Sequence, residues 1–115
     1  MDDCLFCKIA KGDIPSTKVY EDDKIYAFRD IDPQAPSHVL IIPKTHIGSL
    51  DEASEEDSGL LAYLLLKVKE IAAQEGLENG YRVVINTGAD GGQTVHHLHI
   101  HLLGGKAMGW PPYAE

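Results

Sequence analysis

The chain has 115 residues, of which 43% are hydrophobic and 24% are charged, which fits one globular domain over residues 1–115 and excludes a disordered or low-complexity protein. Ten basic against eighteen acidic residues give a formal charge of −8, which argues against binding nucleic acid over a broad surface, because such binding neutralises phosphates. No apolar run approaches the ~18 residues of a membrane-spanning helix, and the acidic start Met1-Asp2-Asp3-Cys4 is unlike a signal peptide, so we expect a cytoplasmic protein with no membrane attachment.

The first part of the chain predicts short elements separated by turn residues. A brief helical turn comes first, and two short strands then flank an acidic turn as a hairpin. A proline-rich loop follows, and after it a buried strand that stops at a proline. The predicted elements are a turn of helix at Phe6–Ala10 and strands at Lys18–Glu21, Lys24–Arg29 and His38–Ile42.

One long helix is predicted from Ser54 to Glu75. Ser54 is a suitable N-cap, acidic residues fill the first turn, and Gly76 stops the helix. Tyr63 and Leu66 widen the apolar stripe beyond what one sheet face needs, which indicates either partial exposure or a second contact surface and hence a dimer. The apolar stripe contains Leu60, Leu61, Leu64, Leu65, Val68, Ile71 and Ala72.

Two further strands are predicted at Tyr81–Asn86 and Leu98–Leu103. A glycine-rich loop separates them, and an extended tail follows the second strand. Four of the strands are linked without crossover helices. We therefore predict the α+β class, with a five-stranded antiparallel sheet and one long helix on one face.

Four of the six histidines fall within residues 96–101. Alternation along a strand places His97, His99 and His101 on one face, with His96 out of phase and the intervening apolar residues in the core. This row fits either a His-x-His metal site or a nucleophilic imidazole with a neighbour that steers the electrophile. In the second case the loop Gly88–Gln93 would offer backbone N–H groups to a phosphate. The core residues between the histidines are Leu98, Ile100 and Leu102.

The segment His97–Leu103 has the form His-φ-His-φ-His-φ-φ, with φ apolar, and so resembles the histidine triad family. The likeness extends over nearly the whole chain. The segments Asp30–His38, Ile42–Ile47, Gly91–Thr94 and Gly104–Pro112 are similar to the Hint branch, the histidine triad nucleotide-binding proteins.

The resemblance implies a homodimer in which two five-stranded sheets join, and hydrolysis of purine nucleoside phosphoramidates to nucleoside 5′-monophosphates. It implies that His99 is the nucleophile, which forms a nucleotidyl-histidine, and that His101 bonds a phosphate oxygen. Two alternatives are a dinucleoside polyphosphate hydrolase of the Fhit type and a non-enzymatic nucleotide-binding scaffold. The implied substrate-binding residues are Asp30, Ile31, Asn86, Gly92, Gln93, Thr94, His99 and His101, with Thr94 standing where serine is common.

The pair Cys4-x-x-Cys7 is open to interpretation as zinc ligands, free thiols or a disulfide. The elements around it are not in a thioredoxin-like order. The resemblance to bacterial members implies a structural zinc ion, which removes His97 from the chemistry. It also implies that His38 bonds the triad and that Trp110 lies near the partner's active site. The implied zinc ligands are Cys4, Cys7, His46 and His97.

Overall fold

The structure is a computed structural model that describes residues 3–113. Its α+β architecture confirms the predicted fold class. Within residues 3–113, no helix combines the length and the apolarity needed to cross a membrane. In chain order the elements are α1 (Leu5–Lys11), β1 (Lys18–Glu21), β2 (Ile25–Arg29), β3 (Ser37–Pro43), two 3₁₀ turns (Leu50–Glu52 and Glu55–Asp57), α2 (Ser58–Gln74), β4 (Tyr81–Val84) and β5 (Ile100–Gly104).

The five strands form one sheet in the order β1-β2-β3-β5-β4, and every neighbouring pair is antiparallel. The first three strands form a meander. Helix α2 then carries the chain to β4 at the edge, and β5 returns between β4 and β3. This order places His101 of β5 in the interior of the sheet, opposite Leu40 of β3 and Val84 of β4.

The sheet has two different faces. One face packs against α2, and the other packs against α1; we call the latter the α1 face. Leu98, Ile100 and Leu102 are buried in the α2 cluster, as the alternation predicted. The α2 cluster contains Ile25, Ala27, Val39, Ile41, Ile47, Leu64, Val68, Ile71, Ala72, Leu98, Ile100 and Leu102. The α1 cluster contains Phe6, Ile9, Tyr26, Phe28, Leu40 and Ile42.

Helix α2 begins at Ser58, four residues later than predicted. Residues 55–57 form a 3₁₀ turn instead, because the carboxylate of Asp57 accepts a hydrogen bond from the Ser54 N–H at 2.9 Å and so caps that turn. The predicted stop is confirmed, since Gly76 adopts a left-handed φ of 73°. Leu65, predicted within the apolar stripe, is 53% exposed, because it lies about 100° around the helix from the buried Leu64.

The strand ends also differ from the prediction. β4 stops at Val84 rather than Asn86, and β5 begins at Ile100 rather than Leu98. The Leu98 N–H donates to the carbonyl oxygen of Ile47, so this segment bonds the loop after β3 instead of β4. His97 and His99 therefore precede the strand. β1 has the predicted bounds, and the remaining differences are of one residue: α1 gains Leu5 and Lys11, β2 lacks Lys24, β3 gains Ser37 and Pro43, α2 lacks Glu75, and β5 gains Gly104.

Candidate active site and metal centre

The rings of the three alternating histidines lie on the α1 face of the sheet. The Phe6 ring of α1 contacts the His97 ring at 6.1 Å and the His99 ring at 5.0 Å between centroids. The His99 and His101 rings are also 5.0 Å apart. His96 points elsewhere, and its Nε2 lies 2.8 Å from the exposed carboxylate of Glu52. The predicted alternation therefore holds even where the segment is not part of the strand.

The protonation of the His99 ring is fixed by a backbone carbonyl. Its Nδ1 lies 2.7 Å from the carbonyl oxygen of His97, which can only accept, so Nδ1–H is the donor. In the neutral ring Nε2 then holds a lone pair. The edge of Phe6 meets the ring at 89°, and His99 is buried. The ring is thus held with an unprotonated nitrogen available for nucleophilic attack.

A second backbone group determines which ring nitrogen carries the proton in His38 and in His101. The N–H of Gln34 donates to Nδ1 of His38 at 3.0 Å, so the proton of this neutral ring is on Nε2. That Nε2–H donates to Nδ1 of His101 at 2.9 Å, which leaves His101 with its proton on Nε2. Nδ2 of Asn86 lies 3.4 Å from Nε2 of His101, and since both nitrogens carry hydrogen in this arrangement, the two groups are neighbours without a hydrogen bond between them. His101 is therefore a hydrogen-bond donor beside His99.

Burial keeps this pair of imidazoles neutral near pH 7. Burial lowers the pKa of His38, although the charges of Asp30 and Asp32 oppose that shift. Burial, and then the neighbouring His99 and His38 rings, lowers the pKa of His101 to about 4. The protonation pattern set by Gln34 and His38 therefore applies at physiological pH.

Asp30 lies next to this pair, at the end of β2. One carboxylate oxygen accepts from the Asp32 N–H at 2.8 Å, and the other is 3.4 Å from Nε2 of His38. Ile31 beside it is fully exposed. The structure therefore brings Asp30, His38, His101 and Asn86 into one continuous row, and it leaves Ile31 facing solvent.

The glycine-rich loop is held together by Gln93. Its side-chain oxygen accepts from the Gly88 N–H at 3.1 Å, and its amide nitrogen donates to the carbonyl oxygens of Gly48 and Val95. The Gly92 N–H donates within the loop as well, to Ala89. Several of the N–H groups expected to face a phosphate are thus engaged inside the loop, while Thr94 is exposed.

The four predicted metal ligands converge in one cluster. Nδ1 of His97 lies 3.3 Å from Sγ of Cys4, 3.5 Å from Sγ of Cys7 and 3.2 Å from Nδ1 of His46. Sγ of Cys7 is 3.3 Å from Nδ1 of His46. A tetrahedral zinc ion places nitrogen and sulfur donors about 3.5 Å apart and two nitrogen donors about 3.3 Å apart. The cluster therefore fits zinc, and both cysteines are free rather than joined in a disulfide.

The outer nitrogen of His97 supports this fit. Its Nε2–H donates to the carbonyl oxygen of Pro43 at 2.8 Å, so Nδ1 presents its lone pair to the cluster, as a ligating histidine requires. Burial lowers the pKa of His97, which keeps the ring neutral. Burial and the neighbouring Cys4 raise the pKa of the Cys7 thiol, so metal binding has to release its proton.

A second group of possible ligands, Asp30, His38 and His101, does not fit a metal ion. A histidine that binds metal through Nε2 must carry its proton on Nδ1 and donate it. Nδ1 of His38 instead faces the N–H of Gln34, which is itself a donor. Two hydrogens would meet there if Nε2 bound a metal ion. The row beside His99 is therefore a hydrogen-bonded chain.

The family follows from comparison with known proteins. A family model of the HIT domain matches residues 11–108. The chain belongs to the HIT domain family. Among its relatives, a 14 kDa zinc-binding protein of Zea mays is 59% identical over 110 residues, which cover 94% of this chain and 86% of that protein.

Solved structures of HIT proteins have the same fold. A HIT family hydrolase from Legionella pneumophila superposes with a TM-score of 0.94 at 58% identity, over 96% of this chain and 99% of the other. A histidine triad nucleotide-binding protein from Candida albicans gives a TM-score of 0.80 at 39% identity, over 98% of this chain and 86% of the other. These likenesses support a hydrolase or nucleotide-binding function at the level of the family.

Sequence reasoning missed several groups that organise the site of this HIT protein. Phe6, which packs on His99, stands between the two cysteines, so the cysteine motif itself was the available signal. The carbonyl oxygens of Pro43 and His97 and the N–H of Gln34 left no signal, because any residue supplies the same backbone groups.

Proposed function

We propose that this HIT protein is a purine nucleoside phosphoramidase of the Hint branch, which releases the nucleoside 5′-monophosphate through a nucleotidyl-histidine intermediate. The observation that carries the proposal is the pairing of two imidazoles with opposite hydrogen-bonding roles. His99 presents an unprotonated Nε2, and His101, whose ring centroid is 5.0 Å away, presents a protonated one. A nucleophile beside a donor for a phosphate oxygen suits attack on phosphorus.

Substrate binding is assigned to the polar row and the glycine-rich loop. The Asp30 carboxylate accepts hydrogen bonds from the two ribose hydroxyls, and exposed Ile31 packs beside the nucleoside. Gln93 holds the loop through Gly48 and Val95 and thereby positions exposed Thr94, whose hydroxyl is assigned to a contact with phosphate. The ribose and phosphate contacts are assigned to Asn86, Gly92, Gln93 and Thr94.

In the first step Nε2 of His99 attacks the α-phosphorus, and the phosphorus–nitrogen bond to the leaving group breaks. The departing amine takes the electron pair of that bond and a proton from water, because neutral His101 keeps its single proton on Nε2 for the phosphate oxygen. His101 holds a phosphate oxygen through Nε2–H. The Nδ1–H of His99 remains on the His97 carbonyl oxygen, which offsets the positive charge that forms on the ring.

In the second step water attacks the same phosphorus and displaces Nε2 of His99. The histidine keeps the electron pair of the broken bond, so the ring returns to its starting protonation, and the proton of the water is released. The products are an amine and a nucleoside monophosphate. No metal ion is required for either step, since the chain's own imidazoles supply the nucleophile and the donor.

We propose that the cluster of Cys4, Cys7, His46 and His97 holds a structural zinc ion. When bound, zinc would crosslink α1, the loop after β3 and the segment before β5, and so anchor the chain next to His99. Thiolate ligands suit a reducing compartment, and we retain the cytoplasm as the proposed location, which cell fractionation tests. We also propose that the whole chain is one HIT domain; limited proteolysis that yields a much shorter stable core would contradict this.

We propose that the protein forms a homodimer through α2 and β4. Leu65 and Leu66 on α2 are 53% and 62% exposed, and Tyr81 and Val83 on β4 are exposed as well. Among the strands within residues 3–113, β4 pairs with β5 alone, so its outer edge is at the edge of the sheet and could pair with β4 of a second copy, which would give a ten-stranded sheet. Trp110, which is 81% exposed, is assigned to a contact near the partner's active site.

Sedimentation velocity is expected to give twice the mass of one chain. Leu66→Glu places a charge in the proposed interface and is expected to shift the protein toward the monomer. Leu50→Glu changes an exposed leucine on a 3₁₀ turn away from α2 and β4, and it should leave the dimer intact. A monomeric wild-type protein at micromolar concentration would contradict the assembly.

The reaction is tested by comparing two substrates. The kcat/KM for a fluorogenic adenosine phosphoramidate is expected to exceed that for a diadenosine polyphosphate by at least about tenfold, since the site has to favour one leaving group in the transition state. Release of AMP measures both reactions. A preference for the polyphosphate would favour the Fhit-type alternative, and no turnover of either substrate would favour a nucleotide-binding scaffold.

A further inference from the structure

The end of the sheet that carries Asp30 and His38 has a second, opposite side. Neighbours along an extended chain point to opposite faces, so residues beside the two site residues point toward α2. These neighbours are Arg29, which precedes Asp30, and Ser37, which precedes His38. They lie on the reverse side of the sheet from the proposed ribose site.

Both neighbours bond the same carboxylate, that of Glu75. The Arg29 guanidinium donates to its two oxygens at 2.7 and 2.9 Å, and the Ser37 hydroxyl donates to one of them at 3.0 Å. The Glu75 side chain is only 12% exposed, and Ser37 is buried. Paired charge-assisted hydrogen bonds of this kind fix the relative orientation of the guanidinium and the carboxylate as well as the distance between them. We call Arg29, Ser37 and Glu75 the Glu75 clamp.

The clamp closes the base of the loop that joins β2 to β3. The two ends of this loop are already bonded on the strand side, where the Asp30 N–H donates to the His38 carbonyl oxygen at 3.0 Å. Glu75 adds a second fastening from the helix side and sits at the C-terminal end of α2. The contacts inside the loop, such as that of Gln34 with His38, depend on these ends keeping their register.

We propose that Glu75 is a positioning residue for nucleoside binding, which it supports by holding Arg29 and Ser37 so that the Asp30 carboxylate faces both ribose hydroxyls. The inference rests on the proposed function, which places the ribose at Asp30. Glu75 touches no substrate in this arrangement. It acts through the backbone that connects each clamp residue to its neighbour in the site.

The expected signature is a loss of affinity that depends on the ribose hydroxyls. Contacts to these hydroxyls are equally strong in the ground state and in the transition state, so weakening them raises KM and leaves kcat nearly unchanged. A nucleotide without these hydroxyls makes no such contact with Asp30. Substitution of Glu75 should therefore change the affinity for that nucleotide only slightly.

The test is calorimetric binding of AMP and of 2′,3′-dideoxy-AMP to the full-length protein. Glu75→Ala is expected to weaken AMP binding about fivefold, comparable to the loss of a hydrogen bond, and to change dideoxy-AMP binding by less than about twofold. Glu75→Gln, which keeps an acceptor for Ser37 but loses the charge, should give an intermediate loss for AMP. It also serves if the alanine variant does not fold. Glu70→Ala is the matched control, because Glu70 is on α2 and pairs with Lys67 at 3.2 Å away from the site.

The outcomes separate the two proposals. Wild-type protein that binds neither nucleotide overturns the proposed function and the clamp together. Wild-type protein that binds AMP, with Glu75 variants that retain full affinity, overturns the clamp alone. An equal loss for both nucleotides also overturns it, because that pattern indicates general destabilisation rather than placement of Asp30.

Discussion

The His99→Ala variant is expected to lose hydrolysis of a purine nucleoside phosphoramidate, with kcat/KM lower by a factor of about 10³ or more. The variant lacks the nitrogen that we propose forms the bond to phosphorus. Within the described residues, His101 is the nearest imidazole to His99, but its Nδ1 accepts from His38 and its Nε2 carries the proton. It therefore cannot replace the nucleophile without reversing the hydrogen bonds that begin at Gln34.

Binding of the product should survive in the same variant. Asp30 and the glycine-rich loop do not bond the His99 side chain, so AMP is expected to bind within a few-fold of wild type. His96→Ala is the matched control, since it removes an imidazole three residues away that points to Glu52. That variant should keep wild-type turnover.

A covalent intermediate distinguishes nucleophilic attack from binding alone. Wild-type protein quenched during turnover is expected to carry one nucleotidyl group, detected by mass spectrometry and located at residue 99, and His99→Ala should carry none. Turnover near the wild-type rate in His99→Ala would show that the nucleophile is assigned wrongly. A covalent adduct on another histidine would lead to the same conclusion.

The side-chain pattern was readable from the sequence because it depends on local geometry. Alternation along an extended chain was enough to separate His97, His99 and His101 from the core leucines, and it holds before β5 begins. The helical pattern was less informative for Leu65, which was predicted to be buried and is exposed. A wide apolar stripe on a helix does not indicate which of its edges packs against the sheet. The predicted start of α2 was also wrong. The acidic residues after Ser54 are typical of a first helical turn, but Asp57 caps a separate 3₁₀ turn there.

The reactivity of the site was less readable, because it depends on groups that the fold brings together. Which nitrogen of His99 is free follows from one carbonyl oxygen, and which nitrogen of His101 is protonated follows from one N–H two contacts away. Arg29 and Glu75 are 46 residues apart, and nothing in the sequence around either residue indicates that the two side chains pair. Such pairings arise from the strand order and cannot be read from spacing.

Loss of the metal centre should produce the largest change in stability. Purified wild-type protein is expected to hold about one zinc ion per chain, and Cys4→Ser should hold less than about a tenth. A ligand present at a thousand times its Kd stabilises a fold by about 4 kcal/mol. For a chain of this length such a loss lowers Tm by roughly 15–20 °C. Treatment of the wild type with a strong chelator should reproduce the shift.

The reason for this expectation is the position of the cluster rather than its strength alone. Its four side chains come from α1, the loop after β3 and the segment before β5, so a bound ion would hold all three together at one point. His96→Ala, next to a ligand but outside the cluster, should keep both metal and Tm. Metal content below about a tenth of an equivalent in active wild-type protein would refute the site, and so would an unchanged Tm and metal content in Cys4→Ser. In either case His97 would be left to act only through its carbonyl oxygen on His99, and the two cysteines would be free thiols without a structural role.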